Sequence, residues 1–250
     1  MLSASSLKSP NLSSESILKY QQLLKQNHFI YLETEDSNFD WIKFAKFVTD
    51  EELMLQYGKE IFYVKWEPEL LNFSDARGKK PVLPHTEASD YQHPPKYMAL
   101  WCQKPADCGG GLTTLAYVKG FLNTLTPEQR KQLAENEHYF GATGGVHASR
   151  TAGATHPILS FADDNKPILR FSYNYIKHGD YSPDPDNLKP FDPGSFLSEI
   201  ADKFLEYYEK NHMAIRMKPY SFLLWDNQCM IHSRTTYSDP NRLLERIFLG

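Results

Sequence analysis

Apolar residues in this chain fall mostly in short runs with the length of β-strands. The runs are rich in branched and aromatic side chains, and Gly, Pro, Asp and Asn occur between them, which is typical of strands joined by turns. In chain order they comprise residues 28–33, 60–66, 96–102, 112–118, 157–161, 168–176, 221–226, 229–232 and 246–250. Strands do not alternate regularly with helices. The sequence therefore predicts a mainly β fold with flanking helices, an antiparallel sandwich or a barrel such as a jelly roll.

Four segments are predicted helices. They are residues 14–26, 39–48, 126–136 and 193–211. In the third, Thr126 is a suitable N-cap and Pro127 occupies the first helical position, where an N–H is not needed. In the last, Phe196, Ile200 and Phe204 recur at i, i+4 spacing, so one face of the helix can pack on a sheet.

The composition is that of an ordinary globular protein. Of the 250 residues, 41% are hydrophobic and 23% are charged, which argues against a disordered or fibrous chain. The length suits a single domain over residues 1–250, with the Ser-rich residues 1–13 expected to be mobile. The formal charge of -4 comes from interspersed residues. No basic stripe is available to neutralise phosphates, so no nucleic acid partner is expected.

The start of the chain and its cysteines bear on location. The first residues are polar and lack the apolar core of a secretion signal, and no stretch approaches the ~18 unbroken apolar residues of a membrane span. We therefore expect a cytoplasmic protein without a membrane partner. Three cysteines, an odd number without C-x-x-C spacing, argue against a disulfide framework and a structural zinc site.

The stretch LPHTEASDY, residues 83–91, carries the first chemical signal. In a strand, residues i and i+2 point to the same face, so His85 and Glu87 are predicted to project together, with Thr86 turned away. Two histidines and one carboxylate bind iron in non-haem Fe(II) oxygenases and leave three coordination positions open. The stretch supplies two of these ligands, and the third must come from elsewhere in the chain.

Eight further histidines could supply that ligand. His232 is distinguished by its context, because SFLLWDNQCMIHSR runs from an apolar strand through an Asp-Asn turn into a second strand that ends in the histidine. The others are His28, His93, His138, His147, His156, His178 and His212. Taken singly, each is more often a hydrogen-bonded surface or core residue than a metal ligand. An isolated H-x-E also occurs readily by chance.

Further motifs join these residues into one pattern. A Gly-rich turn followed by two threonines, GGGLTT at residues 109–114, lies between the proposed ligands, and Arg246 follows His232 by fourteen residues. Together with the H-T-E, W-D-N and H-S-R motifs, their order and spacing resemble the Fe(II)- and 2-oxoglutarate-dependent oxygenases of the taurine dioxygenase (TauD/TfdA) and clavaminate synthase type. The resemblance covers most of the chain.

The resemblance implies a double-stranded β-helix, the cupin-like form of the jelly roll, in which His85, Glu87 and His232 hold Fe(II). Two oxygens of 2-oxoglutarate would chelate the iron and leave one position for dioxygen. The implied reaction hydroxylates a C–H bond of a small substrate and releases succinate and CO2. Glu87 favours hydroxylation over halogenation, because halogenating relatives lack this carboxylate. A glutamate rather than an aspartate hints at an amino-acid-like substrate, either free or tethered to a carrier protein.

The distal carboxylate of 2-oxoglutarate needs a buried cation, and arginine can bind it through two parallel hydrogen bonds. Arg246 matches the clavaminate-synthase-like spacing and is the first choice, with Thr113 donating a hydroxyl beside it. Arg242 lies nearly where a taurine-dioxygenase-like spacing would place it and is the second choice. Without the resemblance, a solvated charge at a strand end explains either arginine equally well.

Other functions remain compatible with the sequence. A desaturase or cyclase would use the same iron centre, and a non-catalytic jelly-roll module would bind a ligand without oxidising it. A hydrolytic zinc site is disfavoured because it has no need of the Thr113 and Arg246 pair.

Three weaker signals concern the surroundings of the site. Residues 141–157 form either a substrate lid or a plain surface loop. Arg170, Tyr173 and Asn174 could reach a substrate, but a strand packing its aromatics into the core explains them better. Trp225 and Asp226 are expected to shape the turn before the histidine of the hairpin.

Overall fold

The computed structural model describes residues 13–141, 153–162 and 165–250. Its helices are α1 Ser14–Asn27, α2 Trp41–Thr49, α3 Val118–Thr124, α4 Pro127–Glu135, α5 Tyr173–His178 and α6 Ser195–Asn211, with one 3-10 turn at Pro68–Leu70. Its strands are β1 Phe29–Glu33, β2 Leu53–Met54, β3 Phe62–Lys65, β4 Val82–His85, β5 Tyr97–Lys104, β6 Thr113–Tyr117, β7 Glu137–Phe140, β8 Ala154–Pro157, β9 Leu159–Phe161, β10 Pro167–Leu169, β11 Met213–Ile215, β12 Ser221–Asp226, β13 Met230–Arg234 and β14 Leu243–Leu249.

Most of the strands form two antiparallel sheets that face each other. The larger sheet has the order β1-β12-β5-β14-β2, with β3 also paired to β14, and the smaller sheet has the order β11-β6-β13-β4. β7 pairs with β8, and β9 pairs with β10, outside these sheets. The predicted fold class is confirmed: the protein is mainly β with flanking helices, and its core is a double-stranded β-helix.

Side chains alternate along each strand between the interior of the sandwich and an outer face, as the pleat requires. On β12, Leu223 and Trp225 belong to a core cluster that also contains Leu115 of β6 and Met230 of β13. Phe222 and Leu224, which alternate with them along the strand, belong to a different cluster on the outer face. The two sheets therefore bury one common layer of side chains.

Helices cover the outer face of each sheet. α1 and α2 pack on the larger sheet, where Phe44 is fully buried against Tyr20 and Phe222. α3, α5 and α6 pack on the smaller sheet, where the rings of Phe121 and Phe204 lie 5.0 Å apart. Each such aromatic contributes on the order of 1.5–3 kcal/mol through its removal from water. These layers hold the strands that carry the interior side chains.

The four predicted helices are present as α1, α2, α4 and α6. Thr126 caps α4 as predicted, because its side chain accepts a hydrogen bond from Gln129 N, while the Gln129 side chain accepts one from Thr126 N. No sequence pattern indicated α3, which follows β6 directly.

One predicted strand is wrong. The sequence predicts a strand over residues 168–176, but β10 ends at Leu169 and α5 begins at Tyr173. Ser172 is the N-cap of α5, and its Oγ accepts a hydrogen bond from a backbone N–H of the first turn at 3.3 Å. Gly179 ends the helix in the left-handed conformation. Caps at both ends thus outweigh the β preference of the aromatic residues between them.

Some expectations fall on residues outside the described ranges. Because residues 1–12 and 142–152 lie outside them, the mobility of the first 13 residues and the role of the segment 141–157 stay predictions. On either side of the second gap, β7 and β8 pair as antiparallel strands. Among the described helices, none is long and apolar enough to cross a membrane.

Candidate active site

His85 is the last residue of β4, and Glu87 lies beyond it in the following turn. The strand therefore ends earlier than predicted, but Thr86 is turned away from its neighbours as expected. Its hydroxyl donates to Leu169 O at 2.8 Å and accepts from Phe171 N at 3.0 Å. These two hydrogen bonds hold Thr86 against the connection between β10 and α5. His85 and Glu87 lie together on the opposite side of the chain.

His232 on β13 lies opposite His85 on β4 in the register of the smaller sheet. The centroids of the two imidazole rings are 4.1 Å apart, and Glu87 Oε2 lies 3.5 Å from Nε2 of each histidine. The three donor atoms lie within 4.8 Å of one another. The structure thus brings together the three predicted ligand residues, which we call the triad.

The protonation of the triad suits a metal ion. His85 Nδ1 lies 2.8 Å from Leu83 O, which favours a proton on Nδ1 and a lone pair on Nε2. Burial lowers the pKa of His232 to about 4, and the neighbouring His85 adds to the effect. Burial alone would raise the pKa of Glu87, but Arg246 and the two histidines hold it well below its usual value. Neutral imidazoles and an ionised carboxylate are the forms that bind a divalent metal.

Two cavities border the triad. The first, which we call the polar cavity, has about 640 Å³ of empty space including its mouth. Its wall includes His85, Glu87 and Arg246 together with Ser74, Asp75, Asp90, Ser172, Asn174 and Ser182. This wall offers many hydrogen-bonding groups to a small molecule placed next to the triad.

The second cavity, which we call the arginine cavity, has about 470 Å³ of empty space including its mouth. Its polar lining consists of His85, Thr113, His232, Ser233, Arg234, Arg242 and Arg246, and its apolar lining of Val64, Ala76, Val82, Met98, Leu100 and Trp225. The lining thus contains three arginines and no carboxylate. Such a lining favours an anion.

The guanidinium groups of Arg234 and Arg242 lack a compensating carboxylate. Both residues are buried, and in the described parts of the chain neither forms a salt bridge. Arg242 Nη1 and Arg234 Nε and Nη1 have no hydrogen-bond partner there. Burial lowers the pKa of both groups, that of Arg234 to about 9, to which the charge of Arg242 contributes. Nη2 of Arg234 donates to the backbone oxygens of Asp75 and Lys80, which leaves the other polar atoms of the group unpaired among the described residues. Because a buried charge with incomplete hydrogen bonding is unfavourable, an anion bound here would stabilise both arginines.

Arg246, unlike the other two arginines, has a carboxylate as a partner. It lies on the interior face of β14 with Leu244 and Phe248, and it lines both cavities. Its Nε donates to Gln56 Oε1 at 3.2 Å, and its Nη1 lies 3.5 Å from Glu87 Oε2. Its charge is therefore balanced in part by the carboxylate of the triad.

The Gly-rich turn before β6 packs closely against the connection between β13 and β14. A Cβ on Gly111, which has a φ of +67°, would lie 3.0 Å from Arg242 Nε. A Cβ on Gly110 would lie 2.2 Å from Thr236 O. Neither position accepts a side chain without displacing the connection between β13 and β14. This close packing brings Arg242 to the same cavity as Thr113.

Other residues considered from the sequence lie around the site. Arg170 donates to Tyr91 O at 2.7 Å and to Gln92 O at 3.1 Å, so it ties down the loop after the triad turn. Asn174 lines the polar cavity. Tyr173 is partly buried against the core between the smaller sheet and α6.

The turn before His232 is shaped by Asp226, as predicted. Its Oδ1 accepts hydrogen bonds from Gln228 N at 2.9 Å and from Cys229 N at 3.2 Å. Trp225 lies in the sandwich core, with its ring 5.1 Å from that of His232.

Two residues of the site escaped the sequence reasoning. Arg234 could have been found, because it follows His232 by two positions and a strand places such residues on one face. Gln56, which holds Arg246, could not, because it lies in an isolated bridge with Lys59 whose contact with β14 depends on the fold.

A second group of potential ligands lies at the turn of the same hairpin. His28, Asp226 and Cys229 also offer donor atoms within 4.8 Å of one another. However, Asp226 Oδ2 lies 2.6 Å from Lys166 Nζ, while its Oδ1 caps the turn. The carboxylate of this second cluster is thus already bound by the protein itself.

The chain resembles known proteins in sequence and in fold. The profile of the family described as "Taurine catabolism dioxygenase TauD, TfdA family" matches residues 4–248. No curated protein matches the chain by sequence. Among solved structures, asparagine oxygenase in complex with Fe(II), 2S,3S-3-hydroxyasparagine and succinate is similar, with a TM-score of 0.70 and 15% identity over 94% of this chain and 77% of that chain.

Two further solved structures are similar over a comparable length. The non-haem iron oxygenase OrfP in complex with Fe and alpha-ketoglutaric acid has a TM-score of 0.67 and 15% identity, covering 96% of this chain and 81% of that chain. The PvcB protein from Pseudomonas aeruginosa has a TM-score of 0.65 and 17% identity, covering 98% of this chain and 82% of that chain.

Proposed function

The chain belongs to the taurine catabolism dioxygenase TauD/TfdA family, and we propose that it is a non-haem Fe(II)- and 2-oxoglutarate-dependent dioxygenase. It hydroxylates a C–H bond of a small, amino-acid-like molecule and releases succinate and CO2. The family match confirms the resemblance found in the sequence. One observation carries the proposal: two imidazoles and a carboxylate meet at one point beside a cavity lined by three arginines, of which Arg234 and Arg242 form no salt bridge in the described parts of the chain.

Iron is the metal that this donor set suits best. His85, Glu87 and His232 would hold Fe(II) through two nitrogens and one oxygen, the combination that leaves three positions open for other ligands. A structural zinc site would be closed by four protein ligands, whereas the described residues bring three donors together at this point. This donor set would leave room for 2-oxoglutarate and dioxygen to bind the metal.

The distal carboxylate of 2-oxoglutarate is assigned to Arg242 together with Thr113. Both line the arginine cavity beside the triad, and Arg242 Nη1 has no hydrogen-bond partner in the described structure. Arg246 was the first choice by spacing, but its guanidinium group already contacts Gln56 and Glu87. Arg242 therefore gains more from a bound carboxylate than Arg246 does.

The polar cavity is the proposed binding site of the substrate whose C–H bond is oxidised. It borders His85 and Glu87, so a C–H bond within it would lie next to the metal. Arg246 reaches this cavity and is suited to hold a substrate carboxylate, which agrees with an amino-acid-like substrate. The similar structures named for hydroxyasparagine and for (3S)-hydroxy-L-Arg support the same class.

Iron and 2-oxoglutarate, when bound, would supply the oxidising chemistry with dioxygen, and His85, Glu87 and His232 would hold the metal. The protein orients the reactants: the three ligand residues fix the metal, and the arginines fix the two carboxylates. Trp225, Met98 and Leu100 line the arginine cavity with apolar surface and limit the access of water to it.

The reaction type is tested by mass spectrometry. The Fe(II)-loaded protein is incubated with 2-oxoglutarate, ascorbate, air and a panel of L-amino acids and amines. The proposal expects succinate formation that rises with one class of compound, whose mass increases by one oxygen atom. Product that has lost two hydrogens would identify a desaturase or cyclase. Failure to bind 2-oxoglutarate in the presence of Fe(II) would instead indicate a binding module.

A further inference from the structure

The side chain of Asn227 forms hydrogen bonds with both the backbone N–H and the backbone C=O of Glu87, a residue of the triad. Its Oδ1 accepts a hydrogen bond from Glu87 N at 2.8 Å, and its Nδ2 donates to Glu87 O at 3.2 Å. Nδ2 also donates to Pro95 O at 3.0 Å. Asn227 is buried, and the backbone of the same residue donates to Lys96 O at 2.8 Å. The carboxamide thus uses its acceptor and both donor hydrogens on a single loop.

Among side chains as short as that of asparagine, only a carboxamide offers one acceptor oxygen and two donor hydrogens, so only it can make all three bonds. An aspartate would turn an oxygen toward two carbonyl oxygens, and an alanine would leave the N–H and C=O of Glu87 without these partners. The bonds matter because Glu87 lies beyond the end of β4 at His85, where no strand partner holds its backbone. The hydrogen bonds from Asn227 take the place of those that a neighbouring strand would make to the backbone of Glu87.

Asn227 also belongs to the hairpin that carries another triad residue. It follows β12 directly and precedes His232 by five residues, within the turn capped by Asp226. The bonds from Asn227 to Glu87 therefore connect the loop of the carboxylate ligand to the strand of a histidine ligand. Glu87 Oε2 lies 3.5 Å from His232 Nε2, a separation that depends on this connection.

We propose that Asn227 is a positioning residue that sets the Glu87 carboxylate against His232, and this inference rests on the proposed iron centre. It acts through the backbone of Glu87 and touches neither metal nor substrate. Residues that orient a metal ligand typically change metal affinity by about 10- to 100-fold when replaced. A comparable loss is expected here.

The test measures Co(II) affinity of the metal-free protein by calorimetry and by the visible absorption of bound Co(II). Asn227→Asp is expected to weaken binding about 10- to 100-fold in the parent protein. In a Glu87→Ala background, where no carboxylate remains to be positioned, the same substitution is expected to change the residual affinity by less than about 3-fold. An equal loss in both backgrounds would overturn the inference, because it would reflect general damage to the hairpin.

A second measurement does not depend on whether the variants fold. Hydrogen exchange of the parent protein is followed at the Glu87 amide, which is expected to be protected because Asn227 Oδ1 accepts its hydrogen. Exchange of that amide at the rate of an exposed loop would overturn the inference. Melting curves of the metal-free variants, followed by circular dichroism, show whether each variant is folded at the temperature of the titration.

The outcomes separate this inference from the proposed function. If His232→Ala abolishes Co(II) binding while Asn227→Asp leaves it unchanged, the metal centre stands and the role of Asn227 is overturned. If the parent protein itself binds no Co(II), the iron centre is overturned and the inference falls with it.

Discussion

Among the described residues, two clusters of potential metal ligands include residues of the hairpin formed by β12 and β13, and they differ in how their carboxylates are bound. In each cluster three donor atoms lie within 4.8 Å of one another, so distance does not distinguish them. In the triad, Glu87 Oε2 faces the two histidines with Arg246 as its further neighbour. In the second cluster, Asp226 binds Lys166 and two backbone N–H groups.

The difference shows that a metal site requires donors that the protein leaves available. A carboxylate that is already bound to an ammonium group must lose that partner before it can bind a metal. In the triad, by contrast, the protein holds each residue through its backbone or through the imidazole nitrogen that faces away from the other ligands, so the donor atoms that face one another stay available. The triad also borders two cavities, through which other ligands can reach a metal. The second cluster instead ties the turn of the hairpin to the end of α1.

The largest expected effect is on metal affinity. His232→Ala removes a ligand and is expected to weaken Fe(II) or Co(II) binding by more than about 100-fold, beyond the range seen for residues that only orient ligands. His28→Ala, the matched change in the second cluster, is expected to alter the affinity by less than about 2-fold. Calorimetric titration of the metal-free proteins measures both. Equal losses would show that the two clusters had been distinguished wrongly.

The second-largest expected effect is on the affinity for 2-oxoglutarate, and it tests whether the cavity beside the triad distinguishes the triad from the second cluster. Arg242→Met removes a buried guanidinium group of the arginine cavity and is expected to weaken 2-oxoglutarate binding to the metal-loaded protein about 10- to 100-fold, since a hydrogen bond to a charged group contributes about 1.5–3 kcal/mol. Arg246→Met is expected to raise the KM of the oxidised substrate more than that of 2-oxoglutarate. The reverse pattern would restore Arg246 as the 2-oxoglutarate residue.

A smaller effect, on stability, tests the structural role of the second cluster. Asp226→Ala removes the partner of Lys166 and the acceptor that caps the turn, and is expected to lower the free energy of unfolding by about 1–2 kcal/mol. Urea denaturation of the metal-free protein measures the change. If Asp226 were instead a metal ligand, the larger effect would appear in the binding titration of the folded variant.

The smallest effect is a pH dependence of the Lys166 ion pair. Burial lowers the pKa of Lys166, but the charge and hydrogen bond of Asp226 outweigh burial and raise it above its ordinary value of 10.5. A raised pKa in the folded state adds stability below pH 10.5 that is lost as the pH rises through the folded value. The difference in unfolding free energy between the parent and Lys166→Met is therefore expected to shrink, by about 1 kcal/mol or less, above pH 10.5. A difference that grows with pH would contradict the assigned ion pair.

The sequence predicts the triad because its motifs, taken in order, resemble those of the family. The H-T-E motif places two ligands on one side of Thr86, and the hairpin of residues 221–232 returns a histidine to the same end of the sandwich. The division of roles between Arg242 and Arg246 could not be predicted in this way. Both lie on the same face by the period of two, and the register of β14 against β5 shifts between Leu243 and Leu244.

Two other features could not be predicted, for different reasons. Asn227 belongs to the recognisable W-D-N motif, but its bonds to Glu87 join residues 140 positions apart. The helix α5 replaced a predicted strand because Ser172 and Gly179 provide caps, and caps are weak signals within a run of aromatic residues.

The central claim is that the triad binds one ferrous ion and leaves adjacent positions for 2-oxoglutarate. Anaerobic titration of the Fe(II)-loaded protein with 2-oxoglutarate tests it most directly, through the visible charge-transfer absorption of the iron chelate. We expect a saturable band that requires both Fe(II) and 2-oxoglutarate, persists in His28→Ala and is absent from His232→Ala. If the parent protein binds iron but shows no band, the triad is not a 2-oxoglutarate-dependent iron centre.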